Sequence, residues 1–130
     1  GGETRPARRR AGQVGDAWYP VGNNPAAPYD SVSKFTNGLA EVRQFATESG
    51  RDPASLDTGL LALWYRMDEK LENDDGERMA FTGNAETIID DINRYEEAGL
   101  NHLVIGFESD DLQQSLDQLD AFAETIMPNV

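Results

Sequence analysis

Apolar residues recur along this chain with two different periods, which predict helices alternating with strands. Spacings of three and four residues are typical of helices with one buried face. Short continuous apolar runs are instead typical of parallel strands buried on both faces. The pattern predicts helices over residues 6–14, 31–49, 84–98 and 112–126, and strands at Asp16–Pro20, Thr58–Arg66 and His102–Phe107.

Polar and glycine residues mark the ends of these helices. Ser31 or Asp30 and then Asn84 are good N-caps, since their side-chain oxygens accept from the first free amides. Gly50 and Gly99 stand where helices stop, and either Gly12 or Gly15 ends the first. The predicted core stripes are Val32, Phe35, Leu39, Val42 and Ala46; then Ile88, Ile89, Ile92, Tyr95 and Ala98; then Leu112, Leu116, Leu119, Ala123 and Ile126, joined by Phe122.

Alternating strands and helices predict an α/β fold with a parallel sheet and right-handed crossovers. At 130 residues the chain is one domain at most. A closed eight-stranded barrel needs about 250 residues, so these elements leave a sheet with open edges. We therefore expect the chain to be part of a longer protein, or to complete its sheet through a partner chain.

The first residues carry the clearest candidate chemistry. Gly1 and Gly2 have no side chains, so a ligand can approach their amides, and Pro6 fits the first helical turn. A helix start presents unpaired N–H groups and partial positive charge, which suit a phosphate. Thr4 and Arg5 add a hydroxyl and a guanidinium. An ordinary tight turn is the alternative interpretation.

Charge argues against nucleic acid as a partner. The net charge is −13, and residues 11–130 hold seven Lys and Arg against 23 Asp and Glu. Most of such a surface repels nucleic acid, and it suits either high salt or simple solubility. Six acids between Met67 and Phe81 lack the calcium-loop pattern, so we expect a solvated loop there and no metal. Arg66 before them either pairs with these acids or binds an anionic substrate.

Composition adds expectations about location. No apolar run of 18 residues and no secretory signal is visible, so a membrane span is not expected. The sequence contains no cysteine, which excludes disulfides and fits a cytoplasmic protein.

Six motifs follow one another along the chain: Gly1-Gly2-x-Thr4-Arg5-Pro6-Ala7-x-Arg9-Arg10-Ala11, Gly15-Asp16-x-Trp18-x-Pro20, Ser49-Gly50-Arg51-Asp52-Pro53, Thr82-Gly83-Asn84-Ala85-Glu86, residues 98–107, and Ile126-Met127-Pro128. In this order they resemble the luciferase-like monooxygenases, which are flavin- or deazaflavin-dependent barrel enzymes. The resemblance covers nearly the whole chain and implies the second half of a TIM (β/α)8 barrel, from the end of strand 5 through helix 8, as one unit over residues 1–130.

The resemblance implies FMN or the deazaflavin coenzyme F420 as cofactor, together with a small-molecule substrate. The phosphate of this cofactor is expected at Gly1, Gly2, Thr4 and Arg5. Trp18, unless it is a core residue, and Glu108 would form part of the cofactor or substrate wall. The family takes its catalytic residues largely from the other half of the barrel, so none is assigned and this chain alone is expected to be inactive. The alternative is a non-catalytic flavin-binding or assembly module of the same fold.

Overall fold

A computed structural model describes residues 2–130 and shows helices alternating with parallel strands, as the sequence predicts. The last helix continues as a π-helical turn, Phe122–Ile126, and a 3₁₀ turn, Met127–Asn129. The helices are α1 (Arg5–Val14), α2 (Val32–Glu48), α3 (Ala85–Glu97) and α4 (Leu112–Ala121), and the strands are β1 (Ala17–Trp18), β2 (Asp57–Ala62), β3 (Arg66–Met67), β4 (Thr82–Gly83) and β5 (His102–Ile105).

The main sheet has the strand order β1-β2-β5, and both pairings are parallel. Trp18 pairs with Thr58, and Leu60 pairs with Leu103. Pairing continues beyond β1, because Val21 forms a further parallel bridge with Leu61 in the same register. All three strands therefore run in the same direction. The segments that follow them lie together at the edge formed by the carboxyl ends of the strands.

The helices cover one face of this sheet. Alternate strand residues such as Trp18, Leu60 and Ala62 are fully buried. Trp18 stacks on Phe35 of α2 with ring centroids 5.4 Å apart, and Phe35 contacts Tyr95 of α3. The predicted stripes of α2 and α3 thus form the core on this side.

The opposite face of the sheet is largely uncovered. Leu61 and Val104 are neighbours on it, and Leu63 and Val104 are 43% and 36% exposed. The prediction that the strands are buried on both faces is therefore wrong for this chain taken alone. Both faces are apolar, but only one is covered by helices among the described residues. The second strand is also shorter than predicted, because the chain leaves the sheet after Ala62.

The connection from β2 to α3 is more ordered than the predicted solvated loop. β3 and β4 form a small parallel pair, and Trp64 donates its indole N–H to the Ala80 carbonyl at 2.7 Å. Arg78 forms a two-pronged ion pair with the buried Asp91 of α3, at 2.6 and 2.8 Å. Arg66 forms a salt bridge with Glu69 at 3.7 Å, which is the first of the two roles that the sequence allowed for it.

The apolar stripe predicted for the last helix is only partly buried. Ile126 has no exposed surface, and Phe122 packs against the core. Leu112, Leu116 and Leu119 are all exposed, contrary to the expectation that they line a core. Their spacing defines a helical face, but no described element lies over it.

Candidate functional site

The segment before α1 lies at the edge where the strands end. The Trp18 indole N–H donates to the Gly2 carbonyl at 2.9 Å, and the Val21 amide donates to the Glu3 carboxylate at 2.7 Å. Because the strands are parallel, Glu108, which follows β5, lies at the same edge. Gly1 lies outside the described residues, so its predicted role remains a prediction.

The start of α1 is not capped by a side chain. Thr4 is the N-cap, with extended backbone (φ −76°, ψ 155°), and its hydroxyl makes no cap hydrogen bond within residues 2–130. The first turn contains no acidic residue, and Pro6 lacks an N–H. The remaining first-turn amides and the positive end of the helix dipole are therefore suited to an anion.

The other two predicted phosphate ligands already have carboxylate partners. The Gly2 amide donates to the Glu3 carboxylate at 2.9 Å. The Arg5 guanidinium donates to Glu41 of α2 at 2.8 Å, although its side chain remains largely exposed. A phosphate held by all of these groups requires Gly2 and Arg5 to exchange their carboxylates for it, whereas the Thr4 hydroxyl needs no such exchange.

Glu3 is a residue that sequence reasoning missed. It is 5% exposed, and its carboxylate accepts from the Gly2 and Val21 amides and from the Asn24 side chain at 3.1 Å. Its backbone carbonyl accepts from Arg8 and from the Tyr29 hydroxyl. A single glutamate after two glycines carries no pattern that distinguishes this role, since two of its donors, Val21 and Asn24, come from a loop 18 to 21 residues away.

The pKa of Glu3 leads to a test at low pH. Burial raises the pKa of the carboxyl, but the hydrogen bonds from Val21, Gly2 and Asn24 outweigh burial and lower it below its ordinary value of 4.5. A lowered folded-state pKa adds stability above the unfolded-state pKa, and that stability is lost as the pH falls through the folded value.

We therefore expect Glu3→Gln to flatten the loss of unfolding free energy between roughly pH 6 and pH 3. Urea titrations at several pH values, followed by tryptophan fluorescence, measure this slope. Glu48→Gln, on the exposed end of α2, is the control and should leave the slope close to that of the unsubstituted chain. Equal slopes for all three chains would contradict the role of Glu3.

The two predicted wall residues have different surroundings. Trp18 has no exposed surface and packs edge-on against Tyr29 at 5.2 Å, so the structure places it in the core, which is its alternative role. It reaches the edge only through its bond to Gly2. Glu108 is exposed just beyond β5, where a ligand at this edge can contact it.

Tyr65 is a second residue that the sequence did not single out. It follows β2 at the same edge, and its ring is fully buried against Phe107 and Phe122, at 5.0 and 5.5 Å. Its hydroxyl has no hydrogen-bond partner among the described residues. Burial, and to a lesser extent the charge of Asp68, raises the pKa of Tyr65 to about 12, so the hydroxyl stays protonated.

The unpaired buried hydroxyl of Tyr65 lowers the stability of the fold, so its removal is expected to be stabilising. Tyr65→Phe should raise the free energy of unfolding by about 1 kcal/mol, because it removes the unpaired group and keeps the ring. Tyr95→Phe is the matched control, since the buried Tyr95 hydroxyl donates to the Tyr29 carbonyl at 3.1 Å. That change should lower the free energy by about 1 kcal/mol. Urea unfolding measures both, and the same sign in both variants would contradict the prediction.

Residues 2–130 contain no group of three or more histidine, aspartate and glutamate side chains arranged to hold a metal ion. No helix in the described part of the chain is long and apolar enough to cross a membrane.

Comparison with solved structures identifies proteins of the same fold. No family model and no curated protein sequence matches the chain. An F420-dependent secondary alcohol dehydrogenase in complex with an F420–acetone adduct matches over 97% of this chain with a TM-score of 0.68 and 22% identity. The coenzyme F420-dependent tetrahydromethanopterin reductase from Methanopyrus kandleri matches over 97%, with a TM-score of 0.70 and 11% identity. A long-chain alkane monooxygenase, LadA, matches over 96%, with a TM-score of 0.57 and 12% identity.

The chain spans less than half the length of each of these proteins: 46%, 48% and 38% respectively. This coverage agrees with the open face and edges of the sheet. These matches confirm the fold that the resemblance implies. The chain has the α/β fold of an incomplete TIM (β/α)8 barrel, as it occurs in these oxidoreductases.

Proposed function

We propose that this chain is the C-terminal half, from the end of strand 5 through helix 8, of a luciferase-like oxidoreductase that uses FMN or the deazaflavin coenzyme F420. The start of α1 binds the cofactor phosphate. The observation that carries this proposal is the uncapped start of α1 at the edge where the parallel strands end. The shared fold with two F420-dependent enzymes supports it.

The residues at this edge fit a phosphate in three ways. Thr4 offers a hydroxyl that makes no cap bond in the described chain, next to the helix amides. Gly2 offers its backbone amide to a phosphate that displaces Glu3, while the Trp18 ring, 3.1 Å from where a Cβ would lie, fills its side-chain position. Arg5 is exposed enough to exchange Glu41 for a phosphate. A guanidinium forms strong, charge-assisted hydrogen bonds with phosphate oxygens. Gly1 is a fourth candidate on sequence grounds alone.

The bound cofactor supplies hydride transfer or oxygen activation. The part of this chain is to hold and orient it and to keep water from one side of it. Glu108, exposed beyond β5, forms part of the wall against the cofactor or the small-molecule substrate. No catalytic residue is assigned, because those residues are expected in the other half of the barrel, and this chain alone is inactive in turnover.

The alternative is a non-catalytic flavin-binding or assembly module that keeps the phosphate site. Both functions require the phosphate to be held, so cofactor binding does not separate them. Turnover does, when the chain is assembled with the half that completes its sheet. A completed protein that binds cofactor but neither oxidises nor reduces it would favour the module.

Phosphate recognition is tested by comparing FMN with riboflavin, which differ only in the phosphate. Fluorescence quenching should show FMN binding about tenfold more tightly, as a charge-assisted phosphate site implies. Thr4→Val should weaken FMN binding several-fold and leave riboflavin binding unchanged. Thr47→Val is the matched control, since the Thr47 hydroxyl donates only to the Arg43 carbonyl on exposed α2.

Two outcomes count against the proposed site. Equal affinities for FMN and riboflavin would show that the phosphate does not contribute to binding. Equal effects of Thr4→Val and Thr47→Val on FMN binding would show that the start of α1 does not contact the phosphate.

A further inference from the structure

The last helix has an exposed apolar face that none of the described elements covers. Leu112, Leu116 and Leu119 are spaced four and three residues apart, so they lie on one face of α4. They are 76%, 44% and 44% exposed. Three neighbouring exposed leucines on one helix indicate a contact surface, because single exposed apolar residues are ordinary but grouped ones are not.

Charge around this face is of one sign. Residues 108–130 contain six acids and neither lysine nor arginine. Since each helical residue advances by roughly 100°, Asp120 lies beside Leu116, about 40° further round α4, and Asp117 lies about 60° beyond Asp120. The leucine face is therefore bordered on this side by Asp120, a carboxylate that has no basic neighbour on its own helix.

The order of the elements places this face at the open end of the fold. α1 packs on α2, α2 on α3, and α3 on the turn that continues α4. β5 is likewise the last strand of the sheet, and its outer edge pairs with no strand in residues 2–130. In a fold of this kind the next strand pairs with β5 and its helix packs beside α4.

We propose that the leucine face of α4 and the free edge of β5 together bind one strand–helix unit, whose helix carries an apolar face bordered by lysine and arginine. This deepens the proposed function, on whose missing half it rests, by giving the chemistry of the element that completes the sheet. The strand forms a parallel ladder with β5, and the helix covers Leu112, Leu116 and Leu119. A basic residue on its border pairs with Asp120.

A second copy of this chain does not meet these requirements. Each copy carries a net charge of −13, and the face itself contributes only negative charge. Two such faces brought together repel each other, since opposing like charges destabilise an interface. The occupant must therefore differ from this chain.

Two synthetic amphipathic helical peptides test the chemistry of the face. They share one leucine-rich side, which is bordered by lysine in one peptide and by glutamate in the other. Binding is followed by fluorescence anisotropy of the labelled peptide. The lysine peptide should bind at least about tenfold more tightly, and its affinity should fall as salt screens the charges.

Variants of the chain locate the contact. The double variant Leu116→Gln, Leu119→Gln should weaken binding of the lysine peptide about tenfold, because grouped apolar contacts at the centre of an interface dominate affinity. Val14→Gln is the control, since Val14 is even more exposed, at 75%, but lies at the end of α1. Circular dichroism confirms that both variants keep their helices.

Every other result overturns the inference. Equal binding of the two peptides, or no binding of either, contradicts the basic border. Equal effects of the two glutamine variants contradict the location. Dimerisation of the chain that the double variant abolishes makes a second copy the occupant. The FMN and riboflavin titration does not involve α4, so a failure here is distinct from a failure of the phosphate site.

Discussion

Asp91→Asn is expected to lower the free energy of unfolding by about 3 kcal/mol, because it breaks a buried ion pair. The two Asp91 oxygens accept three hydrogen bonds, two from Arg78 and one from the Phe81 amide at 2.8 Å. Asparagine has one acceptor oxygen, and its amide group would face an N–H donor. The Arg78 charge would also lose its partner.

Urea unfolding followed by tryptophan fluorescence measures this loss, since Trp64 lies 6.2 Å from Phe81 in the same region. The corresponding fall in melting temperature is roughly 10 °C. Asp90→Asn is the control at the neighbouring position. Asp90 is exposed and lies 3.8 Å from Arg94, so its loss should cost less than about 1 kcal/mol. Similar losses in both variants would show that the ion pair does not anchor the connection between β2 and α3.

Gly12→Ala is expected to lower the free energy of unfolding by about 2 kcal/mol, although alanine favours helices. A Cβ at Gly12 would overlap the Val42 carbonyl oxygen and lie 2.8 Å from the Phe45 Cβ. These atoms belong to α2 and cannot move separately, so the two helices must part. The Arg51 guanidinium, which donates to the Gly12 and Gly15 carbonyls at 2.8 and 2.7 Å, would be displaced with them.

Gln13→Ala is the matched control, because Gln13 is exposed on the next position of α1. It should change the free energy by less than about 0.5 kcal/mol. Thermal unfolding by circular dichroism compares the two variants. A stabilised Gly12→Ala chain would mean that α1 and α2 can separate without cost.

Local chemistry explains which features the sequence predicted. Ser31 and Asn84 are N-caps as expected, accepting from the amides of Lys34 and Thr87. Both interactions span three residues, so the sequence alone contains both partners. The same is true of the core stripe of α2, whose spacing determines one face whatever it packs against.

Contacts between residues far apart in the chain account for most of the features that the sequence did not predict. Glu3 meets Val21, and Arg78 meets Asp91, through the path of the chain and not through any local pattern. Gly12 was one of two candidate helix ends, and only the packing of α2 shows that it is a site of close approach while Gly15 is the cap.

The sequence by itself determined the alternation of strands and helices, the start of α1 and the apolar faces, because each depends on residues within one or two turns. The tertiary structure alone decided which apolar faces are covered. Leu112 and Leu116 have the same spacing as Leu39 and Phe35, yet the first pair is exposed and the second is buried. Burial depends on a neighbouring element, and no element in residues 2–130 lies over this face of α4.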